Sequence, residues 1–197
     1  MRRALDRGSG LETDIRDLES GVVISHDPPC LNGNNLTLDW LFKYISLNNK
    51  PSRLALNIKA DGLAEKVSTL MKSYNVAREC LFAFDMSIPD GLGYVKQNIP
   101  IYSRVSEYED TPSYSGAVNG IWVDNFTGEF PQVKSAKSFL ALGIRAAVVS
   151  SELHGRDHNE LWADIFKSEI YKHPLFELCT DFPNQAADLF SSSESHD

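Results

Sequence analysis

The sequence alternates along its whole length between short apolar segments and segments with helical periodicity. Eight segments are rich in β-branched or aliphatic residues: 10–15, 22–25, 53–59, 80–85, 99–104, 120–126, 144–151 and 174–181. Their nearly continuous apolar character is typical of strands buried on both faces, as in parallel sheets. Regular alternation of strand and helix predicts an α/β fold with right-handed crossover connections.

The segments between the strands predict several helices. One has Thr37 as its predicted N-cap and carries apolar residues at i, i+3, i+4 and i+7: Leu38, Leu41, Phe42 and Ile45. A second begins with Asp61 as its predicted N-cap and carries a similar apolar face: Leu63, Val67, Leu70 and Met71. Weaker patterns predict helices over 88–97, 132–142, 159–170 and 184–190.

The number and spacing of the strands indicate the architecture. If 10–15 and 22–25 form one unit, seven strands follow one another. Their mean spacing of about 27 residues is close to the roughly 31 per βα unit of an eight-fold barrel. An open sheet of five or six strands is the alternative, although no G-x-G-x-x-G or P-loop motif is present. We expect residues 1–189 to form the barrel domain and residues 190–197 to form a disordered polar tail.

Composition and charge exclude several classes of partner. Lys and Arg number 19 against 27 Asp and Glu, which gives a net charge of −8. An acidic chain is poorly suited to nucleic-acid phosphates or to an anionic membrane surface. We expect no transmembrane segment and no signal peptide, because no apolar run of the required length is present. Three scattered cysteines without a C-x-x-C pair predict a reducing, cytoplasmic location.

Two carboxylates stand out in the first strand. Glu12 and Asp14 alternate with Leu11, Thr13 and Ile15, so both point to the same side of the strand. An inward-facing carboxylate pair requires a neutralising cation, and Mg²⁺ or Ca²⁺ prefers such oxygen ligands. The alternative is a solvated E-x-D sequence on an edge strand.

Two further residues lie where apolar strands end. His26 follows Val22, Val23 and Ile24 closely and suits a general acid or base, although it also suits a structural histidine bonded to a backbone carbonyl. Lys59 ends a buried strand and should contact an anion there, either substrate phosphate or a protein carboxylate. Charged residues end other apolar segments in the same way: Asp85, Arg104, Asp124, Glu152 and Asp181.

The segment GLETDIRDLESGVVISHDPP at 10–29 resembles the signature of the glycerophosphodiester phosphodiesterases, TIM barrels related to phosphatidylinositol-specific phospholipase C. That signature is roughly G-x-x-x-E-x-D-V, a short turn, and V-V-x-H-D. LALNIK resembles the family's E-[IL]-K strand, and ELCTDFP is similar to its closing T-D-x-P. The matches span nearly the whole chain in the right order. SELHGRDHNELW and FAFDMSIPD have no counterpart in the family pattern.

The resemblance implies roles for individual residues in the metal-dependent hydrolysis of a small glycerophosphodiester, with release of an alcohol and a place in lipid metabolism. Glu12 and Asp14 match ligands of the divalent cation, Mg²⁺ or Ca²⁺. His26 matches one of two catalytic histidines and would protonate the leaving alkoxide, while Lys59 would bind phosphate oxygens. Three residues are expected to bind substrate without a motif match: Arg104, Trp122 and Asp124.

Two departures from the family pattern affect these expectations. Asn57 replaces the third metal carboxylate, and Asp85 or Asp124 is a candidate to compensate for the lost charge. The family's first strand, with H-R-G and the other catalytic histidine, has no match, since MRRALDRGSG resembles the end of the helix that follows it. We therefore expect a TIM-type barrel that is incomplete at its N-terminus, with about seven βα units.

Three hypotheses follow from the unmatched first unit. The natural chain begins upstream, or it is a truncated paralogue with little activity, or it is an inactive barrel that binds phosphate or sugar. In each case the strands that carry Glu12 and Thr180 are expected to have unpaired edges. Such edges favour a homo-oligomer formed through the open barrel edge.

Overall fold

The computed structural model describes residues 1–19, 21–30, 33–48, 53–114 and 116–191. The fold is α/β, as predicted, and the described residues form two compact units. The first unit comprises Met1–Tyr102 and Gly116–Val118, and the second comprises the rest of the described chain. Among the described residues no helix has the length and apolarity needed to cross a membrane. Of the predicted tail, residues 192–197 lie outside the described residues.

The first unit contains a four-stranded sheet in the order β2–β1–β3–β4. Its strands are β1 (Leu11–Leu18), β2 (Gly21–Ile24), β3 (Leu54–Ile58) and β4 (Leu81–Phe84). Strand β3 pairs in parallel with both β1 and β4. Strand β2 turns back through a hairpin and pairs antiparallel with the second half of β1. The expectation that the Glu12 strand has an unpaired edge is therefore wrong for that half of the strand.

The helices of this unit lie close to their predicted positions. They are α1 (Arg2–Asp6), α2 (Leu38–Asn48), α3 (Ala64–Ser73) and α4 (Ile88–Lys96). Thr37 caps α2 as predicted, because its hydroxyl accepts a hydrogen bond of 3.1 Å from the Trp40 amide. The predicted Asp61 cap of α3 is wrong. Leu63 occupies the N-cap position, so Asp61 lies two residues too far upstream, and its carboxylate accepts a hydrogen bond from Ser87 instead.

The two faces of the first sheet differ in chemistry. Strand alternation places Thr13, Ile15, Leu56 and Ile58 on one face, and all four are buried. Burial of each large aliphatic side chain contributes about 1.5–3 kcal/mol to folding. The other face carries the polar residues of β1 and β3. Packing of the apolar face therefore holds these strands in place, and their opposite face is available for polar side chains.

The second unit contains a four-stranded sheet in the order β5–β6–β7–β8. Its strands are β5 (Tyr102–Val105), β6 (Gly120–Val123), β7 (Arg145–Val149) and β8 (Phe176–Cys179). Strand β7 pairs in parallel with β6 and β8. The helices confirm the weaker predictions and are α5 (Gln132–Ala141), α6 (Asn159–Ser168) and α7 (Pro183–Ser191).

Gln132 joins the carboxyl ends of two strands in this second sheet. It is 3% exposed at the start of α5. Its Nε2 donates hydrogen bonds of 3.0 Å to the Val123 carbonyl and 2.8 Å to the Val149 carbonyl. Both carbonyls lie at the ends of their strands, where the regular pairing stops. One buried amide therefore satisfies two backbone acceptors that packing alone would leave without donors.

We expect Gln132→Leu to lower the free energy of unfolding by about 2–4 kcal/mol, because two buried carbonyls lose their donor while side-chain volume is nearly kept. Urea denaturation of the two proteins measures the difference. Ser138→Ala, on the exposed side of the same helix, is the control and should change stability by less than about 0.5 kcal/mol. An equally small effect of Gln132→Leu would contradict the proposed role of this side chain.

Candidate functional site

The predicted metal-binding residues of the first unit lie on one face of its sheet. In the parallel pairing of β1 with β3, Asp14 is opposite Asn57 and Glu12 is opposite Ala55. Residues in register on neighbouring strands point to the same side, as do residues two apart on one strand. Glu12, Asp14 and Asn57 therefore share the polar face, and Asn57 lies close to the carboxyl end of β3.

Lys59 lies at the end of the same strand pair. Its amide donates a 3.0 Å hydrogen bond to the Ile15 carbonyl, which extends the pairing of β1 and β3 beyond the last residue of β3. Its Nζ lies 3.4 Å from Oδ1 of Asp14, and both side chains are largely shielded from solvent. The anion that Lys59 contacts is thus a protein carboxylate, one of the two alternatives that the sequence left open. An ammonium group carries three donors, so this contact does not exhaust its capacity.

Glu12 shows that this face carries an excess of negative charge. The pKa of Glu12 is raised from 4.5 to about 7, chiefly by burial and to a lesser extent by the neighbouring charges of Asp14 and Asp85. A side-chain hydrogen bond with Asn57 and the charge of Lys59 act in the opposite direction. A carboxyl group that holds its proton to neutral pH is one that lacks a compensating cation.

Asn57 provides the test of whether a metal fits this site. Its Oδ1 is buried and accepts no hydrogen bond from the described residues. A buried oxygen without a donor is costly, and a cation satisfies it as well as an N–H group does. Two carboxylates and an amide oxygen match the preference of Mg²⁺ and Ca²⁺ for oxygen ligands. The described residues contain no group of three or more His, Cys, Asp or Glu side chains placed to hold a metal, so the amide oxygen is an essential part of this set.

Asp85 is the candidate in the first unit for the residue that compensates for the missing third carboxylate. It directly follows β4, is exposed, and has a backbone φ of 69°. This left-handed conformation is uncommon outside glycine, and aspartate tolerates it better than most residues. The charge of Asp85 makes a small contribution to the raised pKa of Glu12. The other candidate, Asp124, belongs to the second unit.

His26 is held through its backbone, with its ring directed to solvent. The side chain is 74% exposed, and Nδ1 lies 3.0 Å from Oδ1 of Asp27. Arg16 donates from Nε to the His26 carbonyl at 2.9 Å and from Nη1 to the Lys59 carbonyl at 3.0 Å. Arg16 therefore ties the His26 loop to the end of β3. It was not predicted, although the alternation E-T-D-I-R places it on the same face as the two carboxylates.

The three residues that were expected to bind substrate without a motif match lie in the second unit and differ in accessibility. Asp124 is 3% exposed and contacts Arg104, with 3.5 Å between Oδ2 and Nε. Trp122 is 5% exposed within β6, so little of its ring is accessible to a ligand. His154, which was not predicted, lies 2.6 Å from Asp124 through its Nε2. Its segment, SELHGRDH, matches no motif, and only its position after an apolar strand marked it.

A cavity of about 930 Å³ also lies in the second unit, beside α5 and α6. Basic and acidic side chains both line it, among them Lys134, Lys137, Glu160 and Asp164. It contains none of the predicted site residues. The candidate site is therefore identified from the chemistry of its residues, and this cavity is not part of it.

Two solved structures resemble this chain in fold. A glycerophosphodiester phosphodiesterase from Agrobacterium tumefaciens superposes with a TM-score of 0.61 at 14% identity, over 98% of this chain and 92% of its own. A glycerophosphoryl diester phosphodiesterase from Parabacteroides distasonis gives 0.61 at 14% identity, over 92% of this chain and 75% of its own. No family model and no curated protein matches the sequence. The likeness confirms the predicted fold, the TIM-barrel type α/β fold of these phosphodiesterases, and it shows the fold alone.

The raised pKa of Glu12 predicts how stability depends on pH in metal-free buffer. Between pH 4.5 and about 7 the folded state keeps the Glu12 proton that the unfolded state has released. The contribution of this proton to stability is therefore fully present below pH 4.5 and is lost as the pH rises through about 7. Glu12→Gln removes the ionisation. We expect the substitution to increase the free energy of unfolding, relative to wild type, more at pH 8 than at pH 5.

Urea denaturation in EDTA at the two pH values provides the measurement. Asp17→Asn is the matched control, because Asp17 lies on the same strand and is exposed. A gain from Glu12→Gln that is equal at both pH values would argue against a carboxyl group that titrates near neutrality in the folded state.

Proposed function

We propose that this protein is a divalent-cation-dependent phosphodiester hydrolase that releases an alcohol from a glycerophosphodiester-like substrate. The observation that carries the proposal is the buried, unpartnered Oδ1 of Asn57 on the same face as two carboxylates, with Lys59 beside Asp14. Asn57 and Lys59 lie at the carboxyl end of β3, with Asp14 in register beside Asn57, and α/β barrels place their active sites at the carboxyl ends of parallel strands. The fold is the one found in known phosphodiesterases of this class.

Some of these residues bind the cation, and another binds the phosphate. Glu12, Asp14 and Asn57 would hold the divalent cation, which supplies a Lewis acid that polarises the phosphoryl group. Lys59 binds a non-bridging phosphate oxygen with donors that its contact with Asp14 does not use. With a cation bound, Glu12 no longer needs a proton to offset its burial. These residues thus position the substrate and stabilise the charge that develops on it.

His26 supplies the proton for the leaving group. Its Nδ1 pairs with Asp27, which leaves Nε2 to donate to the alkoxide oxygen as the bond from phosphorus to that oxygen breaks. The attacking oxygen, from water or from the substrate's own glycerol hydroxyl, loses its proton to solvent in the same reaction. The exposed ring regains its proton from solvent. Arg16 is a positioning residue, since it holds the His26 backbone against the end of β3.

The first test concerns the cation. We expect Mg²⁺ or Ca²⁺ to raise the melting temperature and to support hydrolysis of bis-p-nitrophenyl phosphate, with both effects removed by EDTA. Asp14→Asn should weaken cation binding by at least about tenfold, while Asp17→Asn, on the same strand but exposed, should leave it unchanged. Identical melting curves with and without cation, together with cation-independent turnover, would reject the metal assignment.

The second test concerns His26. Loss of a general acid costs about 100- to 10,000-fold in rate, so His26→Ala should lower kcat by that order while the cation-induced thermal shift is kept. Because the side chain is 74% exposed, added imidazole should restore part of the activity. Full activity of His26→Ala would remove this residue from the mechanism.

One observation favours a second candidate, an inactive barrel that binds a phosphate- or sugar-containing ligand. His26 is the single histidine of the first unit, so that unit supplies one member of an acid–base pair. Such a binding module would show ligand-induced thermal stabilisation without turnover, and His26→Ala would not change that behaviour in kind. Turnover that depends on both cation and His26 would exclude it.

A further inference from the structure

The cavity in the second unit is lined by one face of α5 and one face of α6. Its volume of about 930 Å³ lies within the range of sites that bind small organic molecules. The residues that the two helices contribute recur at spacings of three or four, as expected for a single face of each helix. They include Lys134, Lys137 and Ser138 from α5, and Glu160, Leu161 and Asp164 from α6.

The two helices contribute charges of opposite sign to this cavity. From α5 come two lysines, Lys134 and Lys137, and no acidic residue, whereas α6 contributes Glu160 and Asp164 and no basic residue. Asp157, which lies just before α6, adds a third carboxylate. None of these five side chains forms an ion pair with another described residue. Both signs of charge therefore remain available to a ligand.

The other polar groups of the cavity are mostly bound within the protein. Arg156 also lines it, but its guanidinium donates to the carbonyls of Asn125 and Phe126. The buried Asn125 accepts hydrogen bonds from the amides of the loop after β6, and Gln132 donates to two strand carbonyls. These contacts fix the walls of the cavity, and a site that is ordered in advance loses little entropy when it binds a ligand.

One buried hydroxyl lines the cavity without a partner. Ser151, two residues beyond β7, is 9% exposed and borders this space. Its Oγ forms no hydrogen bond with any residue that the structure describes. Buried hydroxyl groups are normally hydrogen-bonded, so this group points to a polar atom that occupies the cavity.

The first turns of the two helices differ in the same sense as their charges. Helix α5 begins after Pro131, which borders the cavity, and no described side chain caps it. The first amides of an uncapped helix carry a partial positive charge and attract carboxylates. At the start of α6, by contrast, Asp157 already accepts a hydrogen bond of 2.8 Å from the Asn159 amide. An anionic group is therefore favoured beside α5 and a cationic group beside α6.

We propose that this cavity binds a short zwitterionic peptide of two or three residues. Its carboxylate lies beside Lys134 and Lys137, and its ammonium group lies beside Glu160 and Asp164. An apolar side chain of the peptide contacts Leu161. A free amino acid carries both charges on one carbon atom, so it cannot reach both helices of a cavity of this volume. The site goes beyond the proposed function, which uses none of these residues.

The tripeptide Gly-Leu-Gly is the probe for this proposal. Calorimetric titration of the full chain in EDTA at neutral pH should show saturable binding. Two analogues each lack one charge: the N-acetyl peptide has no ammonium group, and the C-terminal amide has no carboxylate. Each analogue should bind at least about fivefold more weakly, because one ion pair is lost. Absence of saturable binding, or equal binding of all three peptides, would overturn the inference.

Two double variants assign each end of the peptide to one helix. Lys134→Met with Lys137→Met should weaken binding of Gly-Leu-Gly at least about fivefold and leave binding of the amide unchanged, because the amide has no carboxylate to lose contact. Glu160→Gln with Asp164→Asn should weaken Gly-Leu-Gly and leave the N-acetyl peptide unchanged. Equal losses for the peptide and the matching analogue would contradict the assigned orientation and overturn the proposal.

Three controls separate this site from the rest of the chain. Lys167→Met and Asp188→Asn replace exposed residues of α6 and α7 that do not line the cavity, and both should bind Gly-Leu-Gly like wild type. Lys59→Met should also keep the binding. Loss of binding in Lys59→Met, with retention in the double lysine variant, would place the peptide carboxylate in the first unit and overturn the inference.

A measurement on the wild-type protein avoids any effect of substitution on folding. In NMR spectra of the complex, the leucine methyl groups of Gly-Leu-Gly should show nuclear Overhauser effects to the methyl groups of Leu161. Saturable binding without these effects would overturn the inference. Free leucine should bind at least about fivefold more weakly than Gly-Leu-Gly, whereas equal binding would identify an amino acid site and contradict the assignment of a peptide.

Discussion

The parallel pairing of β1 with β3 is the contact on which the candidate active site depends. It sets Asp14 beside Asn57, and it continues to the amide of Lys59, which donates to Ile15. A shift of one residue in this register would turn the polar face of one strand towards the apolar face of the other. The buried Ile15, Leu56 and Ile58 oppose such a shift, so packing on one face determines the chemistry on the other.

The charges on this polar face determine what it can bind. Two carboxylates, one amide oxygen and one ammonium group share a face that is partly removed from solvent. Burial is the main cause of the raised pKa of Glu12, and the positive charge of Lys59, which is paired with Asp14, offsets only part of that rise. The unsatisfied oxygen of Asn57 adds to the same imbalance. A divalent cation is the simplest species that corrects both.

The second unit also contains a buried carboxylate, but its charge is compensated in a different way. Asp124 is more deeply buried than either carboxylate of the first unit, and Arg104 and His154 compensate it within the protein. Because the carboxylate is already paired, the side chains left accessible are basic. The first unit therefore presents oxygen ligands suited to a cation, whereas the second compensates its buried carboxylate with its own basic side chains.

The sequence by itself determined the order and type of the elements and identified the candidate residues of the first site. Hydrophobic periodicity located the strands and the main helices, because the apolar side chains that recur with the period of a strand or a helix are the ones that the fold buries. Strand alternation places Glu12 and Asp14 on one side of β1 from the sequence alone. The association of Asn57 and Lys59 with them was implied by the family resemblance, and it depends on the pairing of β1 with β3.

Only the tertiary structure decided the contacts between residues distant in the chain. The β2 hairpin that covers half of the β1 edge, the double contact of Arg16 and the pairing of His154 with Asp124 all depend on it. The failure of Asp61 to cap α3 likewise follows from how the chain turns before Leu63. Hydrogen bonds and ion pairs are short-ranged, and partners some 30 residues apart, such as Asp124 and His154, leave no periodic signal in the sequence.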